Sequence, residues 1–177
     1  MSGTTTTRVF NYAGTNNRLS NVQIGGTNNR VFTYNAAGGT TGDNRGAAGN
    51  FTWTIDRGGR PATSLKGGVN QGTYTYDAFE RLRVRVVANQ TPTTNNGTVH
   101  YVWDIFGNII AEANGSTGAT LREMVYLEGM PLSAIDAAAS PKKIYAVHVD
   151  HLNRPVMLTD AAKVHVLHGR QRSTRPL

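Results

Sequence analysis

A unit that recurs along the chain limits its fold more than any other feature. YTYDAFERLRVRVV at residues 74–87 and YVWDIFGNIIAE at 101–112 have one shape: alternating aromatics, an Asp, two variable residues, a turn position and an apolar run. Upstream, IDRGGRP begins at Ile55, and YNAAGG begins at Tyr34 with Asn35 in place of the acid. YAGTNNRL begins at Tyr12 and carries one extra residue before Arg18. The anchors Tyr12, Tyr34, Ile55, Tyr76 and Trp103 are separated by 22, 21, 21 and 27 residues. A spacing near 21 over five units is an internal repeat, and function then resides in the array more than in any one residue.

Each unit reads as a hairpin. Tyr74-Thr75-Tyr76 alternates large and small, as a strand does. Asp77 then opens a turn, because its carboxylate accepts hydrogen bonds from the amides just ahead. Gly58 and Gly107 fall where a tight turn calls for positive φ. Arg60, Arg81 and Asn108 follow as the next strand begins. In that strand period-two alternation puts Leu82, Val84 and Val86 on one face and Arg81, Arg83 and Arg85 on the other. One face is then apolar and the other wet. The Asn- and Gly-rich segments 27–30, 38–49, 91–97 and 114–118 read as the opposite turns or longer loops. Helix signals are weak: the alanines at 137–139 favour helix, but Pro141 ends it at once.

Composition agrees with a thin β layer. Asn, Thr and Gly make 58 of 177 residues, a vocabulary of turns and strands. Leu, Ile, Val and Phe make only 37, too few for a thick two-layer core. No Cys is present, which excludes disulfides and thiolate metal sites. The start MSGTTTTRVF lacks the pattern of a signal peptide, and no apolar run is long enough for a helical membrane span. The net charge is +7, but Lys163, Arg170, Arg172 and Arg175 put +4 of it at one end. That distribution argues against a nucleic-acid-binding surface.

These units resemble the RHS, or YD-repeat, family, whose repeat is aromatic-x-Tyr-Asp-x-x-Gly-Arg-Leu about every 20 residues. Tyr76, Asp77 and Arg81 match it, as do Trp103, Asp104 and Gly107. YLEGMPLSAID at 126–136 and the later His148, Asp150, His151, Leu152 and Pro155, leading to Leu-Thr-Asp at 158–160, resemble the segments that follow the repeats in that family. The resemblance is weak up to residue 65 and strong from 74 to about 162. It implies an all-β array of short antiparallel hairpins forming part of a curved single-layer shell sheet. It divides the chain into an extension at 1–8, degenerate repeats at 9–65, well-matched repeats at 66–122, a terminal segment at 123–162 and a basic irregular tail at 163–177.

The resemblance also implies a function: a structural wall segment of an encapsulating shell that encloses and helps deliver a C-terminal toxin or other cargo. Its partners are the remaining repeats or the cargo. It implies no catalysis by the wall, no cofactor, and secretion or surface display in a bacterium by a signal-independent route. The chain departs from the family in two ways. Glu80 stands at the Gly position, and KVHVLHGRQRSTRPL replaces the family's self-cleavage region. A truncated or frame-shifted remnant is expected, with an edge that self-associates in isolation and a tail after 163 that trypsin trims readily.

Other readings compete at particular residues. Trp53, Tyr76, Tyr101 and Trp103 are candidates for a carbohydrate-stacking surface, against ordinary cross-strand packing. His148, Asp150 and His151 are candidates for metal ligation, but three ligands so close in sequence rarely converge on one ion. Asp56, Asp77 and Asp104 are candidates for a glycosidase pair. They occupy equivalent repeat positions, so each is expected to serve its own turn, and no catalytic residue is assigned.

Overall fold

A computed structural model describes residues 7–46 and 49–164. The extension expected at 1–8 and the tail expected at 163–177 therefore lie largely outside the described residues. Fourteen strands are present and, among the described residues, no α-helix. Among the same residues no helix is long and apolar enough to cross a membrane.

The chain divides into two compact units, Met1–Gly97 and Thr98–Leu177. The first holds β1 (Arg8–Tyr12), β2 (Leu19–Ile24), β3 (Thr27–Tyr34), β4 (Thr40–Asn44), β5 (Asn50–Ile55), β6 (Pro61–Lys66), β7 (Val69–Tyr76) and β8 (Leu82–Val87). The second holds β9 (Gly97–Trp103, its first residue excepted), β10 (Ile109–Asn114), β11 (Thr120–Leu127), β12 (Met130–Asp136), β13 (Lys143–Val149) and β14 (Pro155–Thr159). Within each unit every strand pairs antiparallel with the next in chain order. The all-β meander expected from the repeat is what the chain forms.

Each unit is a sheet with little interior. Among the described residues the buried hydrophobic side chains are Val22, 7% exposed, and Ala134, 4% exposed. Most inward-facing residues are only half-buried, which matches an aliphatic content too low for two layers. Large apolar residues at the turn tips stay in water, with Phe79, Ile105 and Phe106 all strongly exposed.

Six hairpins share one construction. The anchor pairs with the residue six further on in Tyr34–Thr40, Ile55–Pro61, Tyr76–Leu82, Trp103–Ile109 and Val149–Pro155. In the Tyr12 hairpin the partner is Leu19, one residue later, as the extra residue requires. Beside every anchor the register slips by one residue, so the second strand carries a bulge there.

The bulge corrects the expected faces of β8. Val84 and Val86 sit opposite Thr75 and Thr73. Beyond the slip Leu82 sits opposite Tyr76, on the other face, together with Arg85 opposite Tyr74 and Val87 opposite Gly72. Leu82, Val84 and Val86 therefore do not form one apolar stripe, and Arg85 does not lie on a separate wet face.

Three further details differ from the sequence reading. Residues 27–30 open β3, and the turn before them is Gly25-Gly26, at φ 59° and 80°. Positive φ at both central positions is the signature of a two-residue hairpin. Segment 38–49 contains β4 and is not one loop. In the Ile55 hairpin the positive φ belongs to Gly59 at 79°, not to Gly58.

Candidate functional site in the aspartate turns

The repeated Asp builds a closed turn from its own neighbours. Asp77 N–H donates to the Arg81 carbonyl at 2.9 Å, and Glu80 N–H donates back to the Asp77 carbonyl at 3.0 Å. The carboxylate Oδ1 accepts from Phe79 N–H and Arg81 N–H, both at 2.9 Å. Oδ2 accepts from Arg81 Nε and Nη2, both at 2.8 Å. One side chain thus satisfies two backbone donors and fixes the arginine that enters the next strand.

The same arrangement recurs at Asp56 with Arg60 and at Asp150 with Arg154. It recurs at Asp104, where Asn108 Nδ2 takes the place of the guanidinium. Asn35 keeps one of these bonds, accepting from Gly39 N–H at 2.7 Å. Three residues after the acid the backbone is left-handed each time: Gly38, Gly59, Glu80, Gly107 and Asn153 all have positive φ. Glu80 thus adopts at φ 66° the conformation its glycine counterparts adopt, held by the turn around it.

Two segments join the series without having been read as repeats. The His148-x-Asp150-His151-Leu152 motif is a sixth such hairpin, with Val149 as its anchor. His148 Nε2 lies 2.9 Å from Thr159 Oγ1, and Leu152 projects from the turn 61% exposed. Asp160 closes a similar turn through Ala162 and Val164 N–H, with Lys163 at φ 61°. The signal was present in the spacing from Asp150 to Arg154, which equals that from Asp77 to Arg81, and in Val149, which like Ile55 puts an aliphatic at the anchor. Among the described residues no three His, Asp or Glu side chains form a group able to hold a metal ion.

Successive hairpins are tied together by tyrosines. Tyr34 donates its hydroxyl to the Leu19 carbonyl at 2.7 Å, and Tyr76 donates to Pro61 at 3.0 Å. Tyr126 donates to Ile109 at 3.1 Å. Each acceptor is the first residue of the second strand in the preceding repeat hairpin. The arginine just before that carbonyl covers the same ring in two cases. Arg60 Cζ lies 4.3 Å from the Tyr76 centroid, and Arg18 Cζ lies 5.7 Å from that of Tyr34. Arg60 therefore holds Asp56 with one edge and Tyr76 with its face. Burial pushes the Tyr76 and Tyr126 hydroxyls above their ordinary value, so both stay protonated donors.

A second cluster was missed altogether. Asp43, only 2% exposed, lies opposite Phe32 on one neighbouring strand and Phe51 on the other. Arg30 and Arg45 both pair with its Oδ2, and each guanidinium lies 4.8 Å from one of those two rings. The carboxylate is thus flanked by phenyl groups and capped by two cations.

Of the aromatic candidates, Trp53 is half-buried and stacks on Phe51, with centroids 6.3 Å apart and planes at 14°. Tyr76 belongs to the ladder just described. Tyr101 and Trp103 are half-buried and two apart on β9, so they share a face.

Charge follows the geometry. The Asp56 and Asp150 carboxyls are held below the ordinary 3.8 first by the guanidinium of their own turn and then by the arginine amide. For Asp104 the Asn108 amide leads and its side chain follows. Burial pushes Asp77 up, but the backbone and side-chain bonds from Arg81 outweigh it. Arg30, ahead of Arg45, lowers Asp43 against its burial. Carboxyls lowered by folding contribute stability above their unfolded pKa, and lose it as pH falls through the folded one. The melting temperature is therefore expected to be flat from about pH 5 to 8 and to fall steeply below about pH 4. A melting temperature that held constant to pH 2.5 (thermal melts across a buffer series) would contradict these turns.

Compared with known proteins, the chain matches no family model and no curated protein. Among solved structures it is similar to a chain of the Tc holotoxin pore of Photorhabdus luminescens, with 10% identity and a TM-score of 0.33. The match covers 77% of this chain and 9% of that one, so this chain spans under a tenth of that protein's length. A likeness this low fixes neither family nor function.

Proposed function

We propose that the chain is a structural segment of an encapsulating wall of the YD-repeat type, one that encloses and helps deliver a cargo such as a C-terminal toxin. The observation that carries this reading is the self-contained aspartate turn. At Asp56, Asp77, Asp104 and Asp150 the acid binds the amide and the side chain of the residue four further on in its own hairpin. The tyrosines then fasten one hairpin to the next. A device that repeats with the sequence period and spends its charge internally suits a wall. A general acid needs a carboxyl raised towards neutrality, and these are lowered. On this reading the sheet performs no catalysis.

A carbohydrate-binding face is the second reading, and the Phe51–Trp53 stack with the paired Tyr101 and Trp103 favours it. Electron microscopy and protease digestion of the chain, expressed with its native flanking coding sequence, test the first reading. A hollow particle with a protease-protected interior is expected, and an open array with no protected interior would overturn it. A glycan array tests the second. A saturable signal that Trp53→Ala or Trp103→Ala abolishes, with the melting temperature unchanged, would put carbohydrate binding first.

A further inference from the structure

The first unit carries an uncommitted cation beside an aromatic platform. Strand pairing lays out a grid on one face of β4 to β7. Asp43 lies opposite Phe51, and Phe51 lies opposite Lys66. One row along, Trp53 lies opposite Ser64, and Ser64 lies opposite Gly72. Trp53 stacks on Phe51 with planes at 14°. Lys66 stands diagonally from Trp53, at a separation of about 7–8 Å between strand positions. Its Nζ lies 5.8 Å from the Phe51 centroid. Lys66 is exposed and has no ion-pair partner among the described residues. Arg45 gives Nε and Nη2 to Asp43, which leaves its Nη1 outside that pair.

Charge and hydroxyls complete the site. Arg30, Arg45 and Lys66 stand against the single carboxylate of Asp43, and three cations against one acid leave two positive charges. Residues 1–6, 47–48 and 165–177 contain no Asp or Glu, so no acidic side chain of theirs offsets this excess. Beside Trp53 the floor is low. A Cβ at Gly72 would stand 3.0 Å from Tyr74 Oη and 3.1 Å from Ser64 Oγ, so glycine leaves room for both hydroxyls. Neither hydroxyl has a hydrogen-bond partner among the described residues.

We propose that this grid binds a carboxylated pyranose, a uronic acid residue of an acidic polysaccharide. The apolar face of the sugar ring stacks on Trp53. Its carboxylate takes Lys66 Nζ and Arg45 Nη1, and its hydroxyls reach Ser64 Oγ and Tyr74 Oη. Asp43 is 2% exposed and capped by two arginines, so it does not repel the incoming acid. Tyr76 stays outside the site, because Arg60 covers its ring and is itself held by Asp56. The inference rests on the carbohydrate reading and narrows it to one place and one class of sugar.

The test is isothermal titration calorimetry of the full chain with trigalacturonate, its methyl ester and a sulfated trisaccharide that lacks carboxylate. Wild type is expected to bind the acid about tenfold or more tightly than the ester. Lys66→Gln is expected to bring the acid down to the affinity of the ester and to leave the ester unchanged. Lys66 is exposed, so this substitution keeps the fold. Trp53→Phe shrinks the platform and is expected to weaken acid and ester alike. Equal wild-type affinity for acid and ester would overturn the acidic subsite and leave the carbohydrate reading in place. Acid binding that Lys66→Gln does not change would mean general attraction to a chain of net charge +7, and would overturn the subsite as well. Equal binding of the sulfated sugar would overturn the assignment to carboxylate. No binding of any of these probes would remove the subsite, and the glycan array would then decide the carbohydrate reading by itself.

Discussion

Asp43→Ala is expected to be the most damaging single substitution in the chain, at about 3 kcal/mol and roughly 10 °C in melting temperature. The acid is 2% exposed, and its removal leaves Arg30 and Arg45 facing each other over a small void between Phe32 and Phe51. Breaking a buried pair costs more than the pair contributes, because the surviving charge loses its partner. Here the arginines are 39% and 42% exposed, so they can turn partly to water, which holds the loss towards the lower end of the usual range. Asp43→Asn keeps the volume and one acceptor oxygen but not the charge, and is expected to fall between. Thermal and urea unfolding of the three chains checks the order. An Asp43→Ala chain as stable as wild type would mean that the cluster adds nothing to the sheet.

Tyr76→Ala is expected to follow, at about 2–3 kcal/mol. The ring is half-buried beneath Arg60, and its hydroxyl reaches across to Pro61. Tyr76→Phe removes only the hydroxyl bond and is expected to cost about 1 kcal/mol, leaving the stack intact. The gap between the two substitutions measures the ring, and the smaller loss measures the hydroxyl. Equal losses from both would mean that the ring packs against nothing that matters.

Much of this architecture could be read in the sequence because it repeats. The anchors Tyr12, Tyr34, Ile55, Tyr76 and Trp103 all stand at the bulge beside a turn, and the acid after three of them closes that turn. What was missed has local causes. Strict alternation assigns Leu82 to the face of Val84, whereas one extra residue in the bulge moves it to the face of Tyr76. Bulges have no signature in a single strand, since they depend on how two strands are paired. The sixth hairpin was missed because Val149 stands 46 residues after Trp103, off the spacing near 21, and its segment was read as a motif of its own. Asp43 was passed over because glycines and asparagines around it read as loop, although Arg30-x-Phe32 and Phe51-x-Trp53 alternate on either side.

The ladder itself could not be seen from spacing. An arginine that binds backwards to its own aspartate and faces forwards onto a tyrosine 16 residues later joins two repeats, and only the paired strands bring the two together. That forward contact ties one hairpin to the one before it, at Arg18 with Tyr34 and at Arg60 with Tyr76.

The most direct test is a double-mutant cycle on Arg60 and Tyr76, read as thermal unfolding of wild type, Arg60→Ala, Tyr76→Ala and the double variant. Residues that share an interaction lose it once, whereas independent residues add their losses. The double variant is therefore expected to lose clearly less stability than the two single losses combined, while Arg60→Ala combined with Tyr34→Ala, which has its own partner in Arg18, is expected to add in full. Full additivity for Arg60 and Tyr76 would contradict the ladder, and with it the account of why this chain repeats.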